Sequence, residues 1–116
     1  MKKDDELYRI HICECIERIE SYMKNIDYET FLHTPLIQDA VLRNLQTLAE
    51  STQRLSDNFK NSRPEIEWYK IAGMRNILVH DYLGTDLETV WNIAKKNLSH
   101  LSKGINCQEK KGRNPH

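Results

Sequence analysis

Apolar residues recur along the chain at helical spacing. The first stretch carries Tyr8, Ile12, Cys15, Ile19, Tyr22 and Ile26 at alternating steps of four and three, and Leu7, Ile16 and Met23 widen the stripe. That period predicts an amphipathic helix of about five turns. Thr34-Pro35 reads as a helix start, because threonine can cap and proline is tolerated at the first helical position. Ile37, Val41, Leu45, Leu48 and Leu55 follow as the second stripe, ending near Leu55. The polar run Ser56 to Arg63 reads as a loop. Pro64 opens a third helix through Ile66, Trp68, Ile71, Met74, Ile77 and Leu78, with Gly84 suited to the stop. Asp86 caps a fourth, with Leu87, Val90, Trp91, Ala94, Leu98 and Leu101 facing inward. The apolar pattern stops at Lys103. The reading is all-α: a four-helix up-down bundle with short connections, over residues 1–103. Residues 104–116 form a polar, basic tail expected to be frayed.

Composition narrows the class. With 116 residues the chain fits one domain. Its 4 Gly and 3 Pro are too few for the many tight turns of a sandwich or barrel. No apolar run reaches the ~20 residues of a membrane span, and the charged start Met1-Lys2-Lys3-Asp4-Asp5-Glu6 has no signal-peptide pattern. The 17 basic and 17 acidic residues cancel, so any nucleic-acid contact must come from a local patch. Three cysteines, Cys13, Cys15 and Cys107, make an odd count at spacings that suit neither a zinc knuckle nor a redox pair. They read as free thiols in a reducing compartment, and the chain as cytoplasmic.

One segment carries chemistry. Residues 73–82 read Gly73-Met74-Arg75-Asn76-Ile77-Leu78-Val79-His80-Asp81-Tyr82. Arg-X4-His-X-Tyr, late in the third helix of a small bundle, resembles the HEPN superfamily and, within it, the HepT toxins of HepT/MntA toxin–antitoxin systems. The resemblance extends to Arg43-Asn44-Leu45-Gln46 with Glu50, to Pro64-Glu65-Ile66-Glu67-Trp68, and to Val90-Trp91. It implies a HEPN-type bundle with a short extra helical turn. It also implies a toxin ribonuclease of a type VII-like system, acting on tRNA or other RNA as a homodimer, and pairing with an MntA-like nucleotidyltransferase antitoxin, with higher hetero-oligomers open. In such pairs Tyr82 corresponds to the acceptor of AMP. No cofactor belongs to the chain itself, since ATP is used by the partner.

The residue types agree with that chemistry. Cutting RNA without a metal needs a base for the 2′-hydroxyl and a cation for the phosphorane. His80 can exchange a proton near neutrality, and Arg75 presents a planar charged fork to phosphate. Asn76 can orient either. Arg43 and Glu50, seven apart on one face of the second helix, are candidates to border the site. No carboxylate set suggests two metals, and no His/Cys set suggests zinc. On an ideal helix Arg75 and His80 lie about 140° apart, so a site shared between two copies of this helix is the natural solution. Adenylylated Tyr82 would add bulk and negative charge beside them. The competing reading is a non-catalytic HEPN binding module that pairs with a nucleotidyltransferase. Asp39 and Arg43 can form a helix pair. Trp68 and Trp91 read as core or interface, and His11, His33, His100 and His116 as surface residues.

Overall fold

The first stripe folds into α1, Lys3–Met23, which opens on Asp4, Asp5 and Glu6, acidic side chains that suit the positive end of a helix. The computed structural model describes residues 3–80 and 86–107, and the side chains of 4–74 and 86–107. Every regular element among them is helical. Cys13 and Cys15 point in different directions from α1, yet both are buried, because neighbours cover α1 on more than one side. Asn25, in the left-handed region at φ 59°, turns the chain out of the helix, a conformation asparagine tolerates better than most residues.

Two short helices join the long ones where the sequence suggested one extra turn. In α2, Tyr28–Leu32, the Asp27 carboxylate accepts from the Thr30 backbone N–H at 2.8 Å. This holds Phe31 fully buried against Trp91. Next, α3 spans Pro35–Gln53, with Pro35 in the first turn as expected. Thr34 occupies the cap position, but its hydroxyl donates back to the Thr30 carbonyl rather than capping α3.

The run from Ser56 to Arg63 is not a plain loop. It forms α4, Asp57–Asn61, capped by Ser56, whose hydroxyl accepts from the Phe59 N–H at 3.1 Å. A single apolar residue, Phe59, buries this turn, and the Arg63 guanidinium lies 4.0 Å over its ring. One hydrophobe leaves no period to read. Ser56 also receives α1: the buried Asp5 carboxylate accepts from the Ser56 N–H at 2.8 Å and from its hydroxyl at 2.6 Å. Ser56→Ala should therefore cost about 1–3 kcal/mol, from a lost cap and a weakened buried acceptor. Urea denaturation checks it; a loss of a few tenths would show the junction to be slack.

The third long helix, α5, spans Trp68–His80 and starts four residues after Pro64. Ile66 is drawn into the core against Gly104. The Trp68 indole donates to the Lys60 and Arg63 carbonyls at 3.1 and 3.3 Å. Those tertiary contacts, which the sequence does not display, keep residues 64–67 in a turn. The predicted stop at Gly84 lies outside the described residues.

The fourth helix is composite: α6 (Leu87–Asn92), a π segment (Ile93–Asn97) and α7 (Leu98–Gly104). Asp86 caps it as expected, accepting from the Thr89 N–H at 3.2 Å and the Thr89 hydroxyl at 2.7 Å. Val90, Ala94, Leu98 and Leu101 face inward as predicted. The two steps of four from Val90 through Ala94 to Leu98 would rotate an α-helical stripe by about 80°. The wider π turn absorbs that drift. It also lets the Lys95 ammonium donate to the Met23 carbonyl at 3.1 Å while lying over the Trp91 ring.

Beyond Lys103 the packed chain continues. Ile105 is fully buried, and Cys107 is buried and disulfide-bonded to Cys13 across 94 residues of sequence. This corrects the expectation of three free thiols. Cys15 is the free cysteine, and burial pushes its thiol up. The pairing partners meet only because α7 returns the chain to α1, which no local spacing reveals. The ground for assigning a reducing compartment falls with it. Arg9, 2% exposed, closes the same junction: it donates to the Ile105 and Asn106 carbonyls at 3.1 and 2.9 Å and to the Glu6 carboxylate at 2.9 and 2.8 Å. No helix among the described residues is long and apolar enough to cross a membrane.

In the packing, α1 lies against α3, α3 against α5, and the fourth helix against α1. Between α5 and the fourth helix runs a groove of about 400 Å³, lined by Leu48, Ile71, Met74, Ile93, Leu98 and Leu101 among others.

Candidate functional site

Arg75, Asn76 and His80 occupy the last two turns of α5, one uninterrupted helix from Trp68 to His80. Their backbone is described; their side chains, and all of Asp81 and Tyr82, lie outside the described residues. The helix N-terminal to them shows which way each side faces. Met74 is buried and Ile71 half-buried, toward α3 and the groove. On the opposite side Tyr69 is 70% exposed. A Cβ placed on Gly73 would meet nothing within 4 Å. Tyr69 and Gly73 are four apart, and the same register continues through positions 76 and 80. Tyr69 stands exposed on this side, while Gly73 is half-buried at the edge of the groove with open space at its Cβ position.

Gly73 is helical without needing glycine's freedom, since its φ is not positive. Gly73→Ala should therefore stabilise the chain by about 0.5–1 kcal/mol, the usual difference in a helix interior. A thermal melt tests this; a lowered melting temperature would mean that something packs where the chain leaves space.

Arg43 and Glu50 share the outer face of α3, as their spacing predicts, and both are exposed. Glu50 borders a polar cleft on the α1 side, about 420 Å³, with Tyr8, His11, Thr47, Ser51, Gln53 and Arg54. The residue that α3 presents to the groove beside α5 is Leu48. Arg43 and Asp39 make no ion pair with one another; the Arg43 carbonyl accepts from the Thr47 hydroxyl at 3.1 Å. Trp68 and Trp91 both pack against the core, as expected. His11, His33 and His100 are exposed, also as expected, and His116 lies outside the described residues.

A polar cluster that the helical period does not reveal sits at the start of α5. The Glu67 carboxylate pairs with Lys70 at 3.2 Å and accepts from the Tyr69 hydroxyl at 3.2 Å. The hydrogen bonds from Lys70 and then Tyr69 hold the Glu67 carboxyl below its usual range, and the same pairing raises Lys70. Being exposed, the pair contributes little stability. Its signal in the sequence was only an i, i+3 charge pair, which is too common to single out.

Residues 12–107 match the protein family described as Ribonuclease HepT-like. Among similar proteins, "Probable ribonuclease HepT" of Thermococcus cleftensis is 36% identical over 101 residues, covering 87% of this chain and 92% of that protein. "Putative RNase MJ1380" of Methanocaldococcus jannaschii is 30% identical over 104 residues, covering 90% of this chain and 95% of that protein. A longer protein of the same organism, "Gamma-glutamylcyclotransferase and putative RNase MJ0434", is 36% identical over 105 residues, or 90% of this chain. The chain spans only 47% of that relative's length. No solved structure gives a significant match. The matched segment holds both α5 with Arg75 and His80 and the all-helical HEPN-type bundle around it, and on that ground the chain belongs to the ribonuclease HepT-like family.

Proposed function

We propose that this chain is a metal-independent endoribonuclease, the toxin of a toxin–antitoxin pair, with Arg75 and His80 as its catalytic residues. The observation that carries the reading is the motif Arg75-X4-His80-X-Tyr82 beginning on the last turns of α5 within a HepT-like bundle. His80 removes the 2′-hydroxyl proton of the substrate ribose. The 2′-oxygen attacks phosphorus, and the bond to the 5′-oxygen breaks. That oxygen takes a proton, and a 2′,3′-cyclic phosphate is left. Arg75 neutralises the equatorial oxygens of the phosphorane, and Asn76 orients the imidazole or the phosphate.

The site is composite. Positions 75 and 80 diverge by about 140° around one helix, and the exposed Tyr69 with the open space at Gly73 suits the approach of a second copy. Arg43 and Glu50, exposed on the outer face of α3, border the cleft formed when the second copy docks. An MntA-like nucleotidyltransferase antitoxin then transfers AMP from ATP to the Tyr82 hydroxyl, releasing pyrophosphate. The added phosphate repels RNA and occupies Arg75.

Incubation with total tRNA in the presence of a chelator should yield fragments ending in cyclic phosphate. If the folded wild-type chain cuts no RNA, the chain is a binding module for its nucleotidyltransferase instead. Intact mass after incubation with the partner and ATP should rise by whole AMP units; a gain that persists in Tyr82→Phe removes Tyr82 from the switch.

A further inference from the structure

Three anchoring contacts and one covalent bond converge on the end of the fourth helix. Arg9 donates to the carbonyls of Ile105 and Asn106. Arg63 Nε donates to the Gly104 carbonyl at 3.1 Å. Ile66 sits where a Cβ on Gly104 would fall, 2.6 Å from its Cδ1. The Cys13–Cys107 bond ties the same turn to α1. At the other end of this helix, Trp91 packs on Tyr28 and Phe31, and Lys95 holds Met23. Toward α5 the helix borders the apolar groove. Its middle packs on α1 through Ala94 and Leu98, and the contacts at its two ends fasten that packing.

We infer that the Cys13–Cys107 bond is a redox-operated fastening that sets how firmly the fourth helix is held on α1, and with it the groove beside the motif-bearing α5. This goes beyond the ribonuclease reading and does not depend on it. The placement of Arg9 makes the fastening reversible. Arg9 lies one helical turn before Cys13, and its guanidinium grips the two carbonyls just before Cys107. With the sulfurs reduced, those hydrogen bonds still hold the two thiols near each other, so the bond reforms without refolding.

The exchange balances with a low-molecular-weight disulfide such as oxidised glutathione. Cys107, slightly exposed where Cys13 is not, loses its proton and attacks one glutathione sulfur, releasing one glutathione thiolate. The Cys13 thiolate then attacks the Cys107 sulfur and releases the second. Two electrons pass from the cysteines to the oxidant. Cys15 stays a spectator. It sits about 200° around α1 from Cys13, and burial keeps it protonated.

The test uses the full chain, oxidised with glutathione disulfide or reduced with a phosphine. Thiol labelling after denaturation should find one free cysteine in the oxidised protein and three in the reduced. Amide hydrogen exchange should accelerate on reduction at least ~10-fold more at 98–107 than at 41–49, because local opening is governed by local fastening. Cys107→Ser and Cys13→Ser should match the reduced protein in both media. Three labelled thiols after oxidation would overturn the inference. So would equal acceleration across the chain, which would make the bond a global staple only, or a redox response retained by Cys107→Ser.

Discussion

Folded His80→Ala should cleave RNA about 10²–10⁴-fold more slowly than the wild type, the usual loss when a positioned base is removed. Arg75→Ala should fall by a comparable factor. The double variant should be little worse than the weaker single, because residues that act together in one step do not contribute additively. Arg75→Lys should recover only part of the activity, since an ammonium restores the charge but not the planar fork that matches phosphate oxygens. Circular dichroism of each variant checks that the helices remain, and initial rates on a defined RNA give the ratios. A folded His80→Ala protein that cleaves at the wild-type rate would sink the assignment. Full activity of a strict monomer would sink the composite site while leaving the two residues in place.

Arg9→Ala should lower stability by about 3–5 kcal/mol, the range for breaking a buried charged network by removing one partner. The guanidinium is 2% exposed and serves Glu6 and two main-chain carbonyls at once. Its removal leaves those acceptors with one donor fewer in a place water reaches poorly. For a domain of this size the change corresponds to a fall in melting temperature on the order of 15–30 °C. The experiment belongs in oxidised and reduced protein alike, so that the Cys13–Cys107 bond does not mask the effect. Removing the bond itself releases a closed loop of 94 residues, worth up to about 4.7 kcal/mol by loop entropy. The combined loss should exceed either alone. A change of less than about 1 kcal/mol in Arg9→Ala would show that the guanidinium does not hold the turn.

How well each element could be read follows from how local its cause is. The stripe from Tyr8 to Met23 marks α1 because a helix exposes its own period in the residues it buries. The same holds for Val41, Leu45 and Leu48 in α3, and for Val90, Ala94, Leu98 and Leu101 in the fourth helix. Caps were legible where one side chain and a nearby N–H suffice, as at Asp86, and less so at Thr34, whose hydroxyl prefers a carbonyl in the preceding helix. By contrast α4 rests on one phenylalanine, and α5 starts late because Ile66 and Trp68 are claimed by Gly104 and by the carbonyls at Lys60 and Arg63.

By itself the sequence determined the all-helical class, the four long helices and the motif Arg75-X4-His80-X-Tyr82, since helical period and motif spacing are properties of neighbouring residues. Only the tertiary structure decided that Cys13 meets Cys107, that Arg9 is buried on the last turn, and that Glu50 shares a cleft with Tyr8 and His11 of α1. It also decided that Tyr69 is left exposed on α5 and that the Cβ position of Gly73 faces open space. Each of these joins segments whose proximity depends on how whole helices pack against one another, and packing is set by the shapes of all the faces together rather than by any local run of residues.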